Sequence, residues 1–158
     1  LSDFQVMAFA THGLVAGELE GVSEPVLVLA PPAEGTESDD GLLTASEVAQ
    51  LKLNADWVIL YACSTAAADG TPGANGLSGL AKAFFYAGSR AILVSHWSVV
   101  SDAAVALTPR MLAAVKTGLT RAEEHRQAMI DTGPTRNAHP ALWAPFVVVG
   151  EGGIRHAR

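Results

Sequence analysis

Two residues of this chain carry the side chains of a thiol nucleophile and its base. Cys63, the single cysteine, stands in Tyr61-Ala62-Cys63-Ser64-Thr65 directly after an apolar run. His12 stands in Ala10-Thr11-His12-Gly13 after an earlier one. An imidazole beside a thiol takes the thiol proton, or holds a thiolate–imidazolium pair, and later protonates a leaving amine. Gly13 has no Cβ, so its backbone N–H is free to approach a reacting carbonyl, and with the Cys63 N–H it would form an oxyanion hole. Residue by residue, a plainer reading stands beside this one. A free Cys commonly packs as a small hydrophobe, and a His at a strand end is often a solvated loop residue.

What turns two such residues into a dyad is the set of elements that carries them. Phe4 to Ala10 reads as a buried strand that opens into a loop at Thr11-His12-Gly13. Val26 to Ala30 is a second short strand, closed by Pro31-Pro32, and Pro32 to Gly41 is an acidic, small-residue surface loop. Thr44-Ala45-Ser46-Glu47 has the form of a capping box and starts a helix to about Leu51. Trp57 to Ala62 is a continuous apolar strand ending at Cys63. Asn75 is the expected N-cap of a helix with Leu77, Leu80, Ala81 and Phe84 on one face, stopped at Gly88.

Ala91 to Ser95 is a further strand, followed by a loop at His96 to Val100. Ser101 caps the next helix, which Pro109 should kink or restart from Thr108. Thr120-Arg121-Ala122-Glu123 is another capping box, for a helix to about Asp131, and Phe146 to Val149 is the last strand. Gly150 to Arg158 is expected to fray. Strands alternating with helices imply an α/β fold with a mainly parallel sheet and helices on both faces. Ligands of such sheets bind outside the carboxyl ends of the strands, where the loops at His12, Cys63 and His96 all fall.

Composition narrows the function. The 158 residues carry a formal net charge of −6, which argues against nucleic acid as a partner, and no apolar run is long enough to span a bilayer. A lone Cys needs no oxidising compartment and excludes a Cys-rich zinc site, so a cytoplasmic setting is expected. The glycines of Gly70 to Gly79 match neither a phosphate loop nor a dinucleotide fingerprint, and no cofactor is implied. Asp39 and Asp40, adjacent on an extended chain, point to opposite sides and are badly placed to share an ion or a proton. Of the other histidines, His96 and His125 read as solvated, and His139 before Pro140 reads as a turn residue. The chain opens Leu1-Ser2-Asp3 without Met, which suggests a segment of a longer polypeptide with a region upstream.

Several stretches in order resemble the CHAT-domain family, a separase-like branch of the caspase-like (clan CD) cysteine peptidases. They are Ala10-Thr11-His12-Gly13, Asp40 to Thr44, Val58 to Thr65, Gly76 to Ala81, Tyr86-Ala87-Gly88, Ile92 to Ser95 with Trp97, and His139-Pro140 leading to Trp143 and Phe146 to Gly150. The resemblance implies a caspase-like three-layer α/β/α domain over residues 1–150, with 151–158 as a flexible tail. It implies His12 as the catalytic histidine, Cys63 as the nucleophile and Gly13 as an oxyanion-hole amide. Ser95 and Trp97 match the loop that meets substrate in this family, and the alternative to a solvated His96 is that it lines the same groove. Asp40 matches an acidic position that fixes the turn before Leu42. Many relatives carry two acidic residues after the tryptophan; only Asp102 remains here, and a pocket for a basic side chain would be weakened.

The function expected from this resemblance is cleavage of protein or peptide substrates through an acyl-enzyme on Cys63. The alternative is a non-catalytic or signal-gated interaction module inside a larger regulatory chain, with helical repeats upstream. A small-molecule-binding doubly wound domain shares the architecture but finds no cofactor motif.

Overall fold

In the computed structural model, the described residues are 4–32, 40–61, 79–97, 107, 109–110, 119–132 and 139–153. In chain order the elements are β1 (Val6–Phe9), β2 (His12–Leu14), β3 (Val26–Val28), β4 (Leu42–Thr44), α1 (Ala45–Gln50), β5 (Trp57–Leu60), α2 (Gly79–Tyr86), β6 (Ala91–Ser95), α3 (Arg121–Thr132), one 3-10 turn (Pro140–Leu142) and β7 (Phe146–Gly150). Cys63, Asp102, the Asn75, Ser101 and Thr108 caps and most of the Pro32–Gly41 loop lie outside the described residues.

The main sheet has the order β1-β5-β6-β7. β1, β5 and β6 run parallel and β7 is antiparallel to β6. β5 and β6 are buried at every position, which explains why their sequences are continuously apolar instead of alternating. Trp57, Ile59, Ala91 and Leu93 pack on one face with Ala128 of α3. Val58, Leu60, Ile92 and Val94 pack on the other with Val48 of α1 and Leu80, Ala81 and Phe84 of α2. Each fully buried aliphatic side chain stabilises the fold by about 1.5–3 kcal/mol relative to exposure.

Both capping boxes form. Thr44 accepts from the Glu47 amide while the Glu47 carboxylate accepts from the Thr44 amide at 2.8 Å. Thr120 and Glu123 repeat the exchange at the start of α3, and these hydrogen bonds hold the Glu123 carboxyl below the usual carboxylate range. Gly88 ends the α2 segment at φ +105, where an added Cβ would stand 2.5 Å from the Leu53 carbonyl oxygen. Only glycine fits that turn without strain.

One expectation is corrected. β2, β3 and β4 form a separate antiparallel sheet, so His12 opens a strand and is not a loop residue. A turn closed by Glu18 N–H to the Val15 carbonyl (3.2 Å) and Gly17 N–H to the Val22 carbonyl (3.2 Å) folds β2 back toward β3. The tail beyond β7 also makes bonds. The Glu151 amide donates to the Arg90 carbonyl at 2.9 Å, and Arg121 Nη1 donates to the carbonyls of Glu151 (2.9 Å) and Gly153 (3.4 Å).

Candidate functional site

The carboxyl ends of β1, β5 and β6 share one edge of the main sheet. At that edge Phe9 pairs with Leu60, and the Tyr61 amide donates to the Phe9 carbonyl at 2.9 Å. His12 and Cys63 are each the third residue past that rung in their own chain segments. The His12 side chain is exposed. Its backbone pairs with Val28 of β3, and the Thr11 hydroxyl donates to the Val28 carbonyl.

The alternation of the small sheet fixes where Gly13 points. On β3, Leu29 N–H bonds to the Gly41 carbonyl and the Pro25 carbonyl accepts from Ala45, so odd-numbered residues of that strand face β4. Leu27, the partner of Gly13, therefore turns its amide and carbonyl away from β2. The N–H and C=O of Gly13 point to the opposite edge of β2, on which no described strand pairs. An N–H on an open edge beside an exposed imidazole is an available donor for a carbonyl oxygen.

The exit of β6 lies at the same edge of the main sheet. Ser95 is wholly buried and pairs with Phe146. His96 is exposed and its amide donates to the Pro145 carbonyl at 2.9 Å. Trp97 is 42% exposed, and its indole Nε1–H donates to the Ala141 carbonyl at 3.2 Å. The 3-10 turn it reaches is capped by His139, whose Nδ1 accepts from the Ala141 amide at 3.2 Å, the turn role expected of it.

Asp40 is exposed and its carboxylate accepts from the Leu42 amide at 2.8 Å, which fixes the turn into β4. Leu42 shares a rung with Val28, and Val28 with His12, so Asp40 stands beyond β3 from His12. The structure thus brings together His12 with Gly13, and Ser95 with His96 and Trp97. It puts Asp40 one strand away.

Sequence reasoning missed the buried polar residues of α3, of which His125 reaches this edge and Arg121 the opposite end of the sheet. His125, expected to be solvated, is only 6% exposed, and its ring Nε2–H donates to the Phe146 carbonyl at 2.9 Å. Burial pushes its pKa below the ordinary 6.5. Arg121 and Glu124 of the same helix are also buried. Arg121 lies 3.9 Å from Asp56, which Arg90 approaches to 3.5 Å. The available signal was a shortage. Arg121–Thr132 has few apolar residues, so a packed helix of that sequence must bury polar ones. Among the described residues no group of three or more His, Cys, Asp or Glu is arranged to hold a metal ion. No helix among them is long and apolar enough to cross a membrane.

The sequence model of the family described as the CHAT domain matches residues 1–151. Tetratricopeptide repeat protein 28 of Mus musculus is 31% identical over 110 residues, 69% of this chain. Its Homo sapiens counterpart is 30% identical over 110 residues. The chain spans about 4% of the length of either relative.

Proposed function

The chain belongs to the CHAT-domain family, and on that premise we propose that it is a caspase-like cysteine endopeptidase domain with Cys63 as nucleophile and His12 as general base. The observation that carries this reading is the parallel register of β1 and β5, which starts both residues from one rung, Phe9 and Leu60. The Cys63 thiolate attacks the scissile carbonyl, and the oxyanion is held by the Gly13 and Cys63 amides. His12 receives the thiol proton and gives it to the departing amine, leaving a thioester on Cys63. Water, deprotonated by His12, then releases the acid and restores the thiol.

The exposed His96 and Trp97 flank the substrate, with Ser95 as the buried rung from which their segment departs. Asp102 borders the neighbouring pocket, and Asp40 acts one strand away by fixing the turn into β4. Helix-bearing cores on both faces of the main sheet support the three-layer caspase-like arrangement. The substrate is a protein or peptide, no cofactor is required, and the setting is cytoplasmic.

The test is covalent labelling by an electrophilic peptide probe. Cys63→Ala should abolish labelling, and His12→Ala should reduce it by about 100-fold or more, the usual worth of a general base. Equal labelling of the His12→Ala variant would sink the dyad.

A second reading follows from the small share of the relatives that this chain spans. Their names denote tetratricopeptide repeats, so the domain serves as the gated output of a longer repeat-containing chain. Labelling that appears only when such repeats are joined to the domain would favour it.

A further inference from the structure

We propose that His125, remote in sequence from the dyad and buried under the sheet, is a positioning residue for the substrate-facing rim at His96 and Trp97. The segment entering β7 grips the exit of β6 at three places: the Ser95–Phe146 pairing, His96 N–H to the Pro145 carbonyl at 2.9 Å, and Trp97 Nε1–H to the Ala141 carbonyl at 3.2 Å. The Phe146 carbonyl is in turn held by His125 Nε2–H at 2.9 Å, from α3. The Phe146 ring meets Tyr61 edge-on, centroids 5.7 Å apart, and Tyr61 lies two residues before Cys63. Phe146 therefore links α3, through its carbonyl, to the exit of β6 and, through its ring, to Tyr61 at the end of β5.

The tether is a hydrogen bond where apolar packing would ordinarily serve. Of the buried residues of α3, only Ala128 is apolar, and the helix is keyed to β7 by Arg121 at the strand's far end and by His125 at its start. Apolar contacts tolerate sliding, whereas a directional bond to one carbonyl sets the height of the strand. Among the described residues the His125 Nδ1 is buried without a hydrogen-bond partner, so a second proton there would be a buried, unsatisfied donor. Burial favours the neutral form. The charged groups nearest in the chain are Glu124 and Arg126 on either side, then Glu123 and Arg121 of the same helix.

The experiment compares His125→Asn, too short to reach the carbonyl, with His125→Gln, which keeps an N–H donor at similar reach. Two readouts are taken on the 158-residue chain: amide hydrogen exchange at His96 against the mid-sheet amides of Ile59 and Leu93, and labelling of Cys63 across a range of probe concentrations. In His125→Asn the His96 amide should exchange about tenfold faster while the mid-sheet amides hold. The half-saturating probe concentration should rise several-fold at an unchanged maximal rate, and His125→Gln should restore both. His96 exchange that is unchanged, or that rises only in step with Ile59 and Leu93, overturns the proposal. The labelling arm rests on the peptidase reading. If the unsubstituted chain is not labelled, the reading of an ungated peptidase fails, and the exchange arm alone decides the role of His125.

Discussion

The two faces of the main sheet are held by different physics. Under α1 and α2 the contacts are apolar: Val48, Leu80, Ala81 and Phe84 close over Val58, Leu60, Ile92 and Val94, and Phe9 meets Phe84 with ring centroids 5.3 Å apart. On the α3 side the strands are as apolar and meet Leu107, Ala128 and Met129, but the helix also buries Arg121, Glu124, His125 and Thr132. The first face gains from area removed from water and is indifferent to pH. The second adds to its apolar contacts directional bonds to strand-end carbonyls and buried charge, and through these it depends on protonation. That second face lies beneath the segment leading into β7, which grips the rim of the proposed site.

Substitutions should separate these faces. The largest loss is expected from Phe84→Ala, which empties the centre of the apolar face and should cost about 3–5 kcal/mol in denaturant unfolding at any pH. On the polar face, Asp56→Ala removes the carboxylate that faces Arg90 and the buried Arg121. It should cost about 3 kcal/mol, and Asp56→Asn should recover part of that. Equal stability of all three proteins would erase the distinction between the faces.

The smallest effect is the most specific. His125 is folded with a depressed pKa, so its contribution is fully present above the ordinary value of 6.5. Below that value the unfolded ring takes a proton that the folded ring refuses, and stability falls by up to about 1.4 kcal/mol per pH unit until the folded pKa is passed. Unfolding free energies measured between pH 7.5 and 5 should show this slope, and His125→Gln should flatten it. An unchanged slope in His125→Gln would assign the pH dependence to other groups.

Much of this was legible in the residues. The capping boxes at Thr44 and Thr120 rely only on neighbours within one turn, so they read directly from four letters. β5 and β6 announce themselves by unbroken apolar runs, and Gly88 by its place after an apolar helix face. The CHAT-domain identity also rests on ordered motifs along the chain.

β2 to β4 were harder, because three-residue strands carry no mark of their partner. His12 looked like a loop residue for that reason, although it opens a strand whose pairing turns the Gly13 amide to an open edge. His125 between Glu124 and Arg126 looked solvated, since local sequence offers no apolar cue for its burial.

The sequence by itself determined the local elements, the family and the two residues on which the proposed chemistry rests, because caps, apolar runs and motifs are written in near neighbours. Tertiary structure alone decided that Phe9 and Leu60 share a rung, that His12 belongs to a second sheet, and that His125 reaches the Phe146 carbonyl. Those facts depend on residues distant in the chain. A hydrogen bond across such a separation exists only once the packing that closes it is in place.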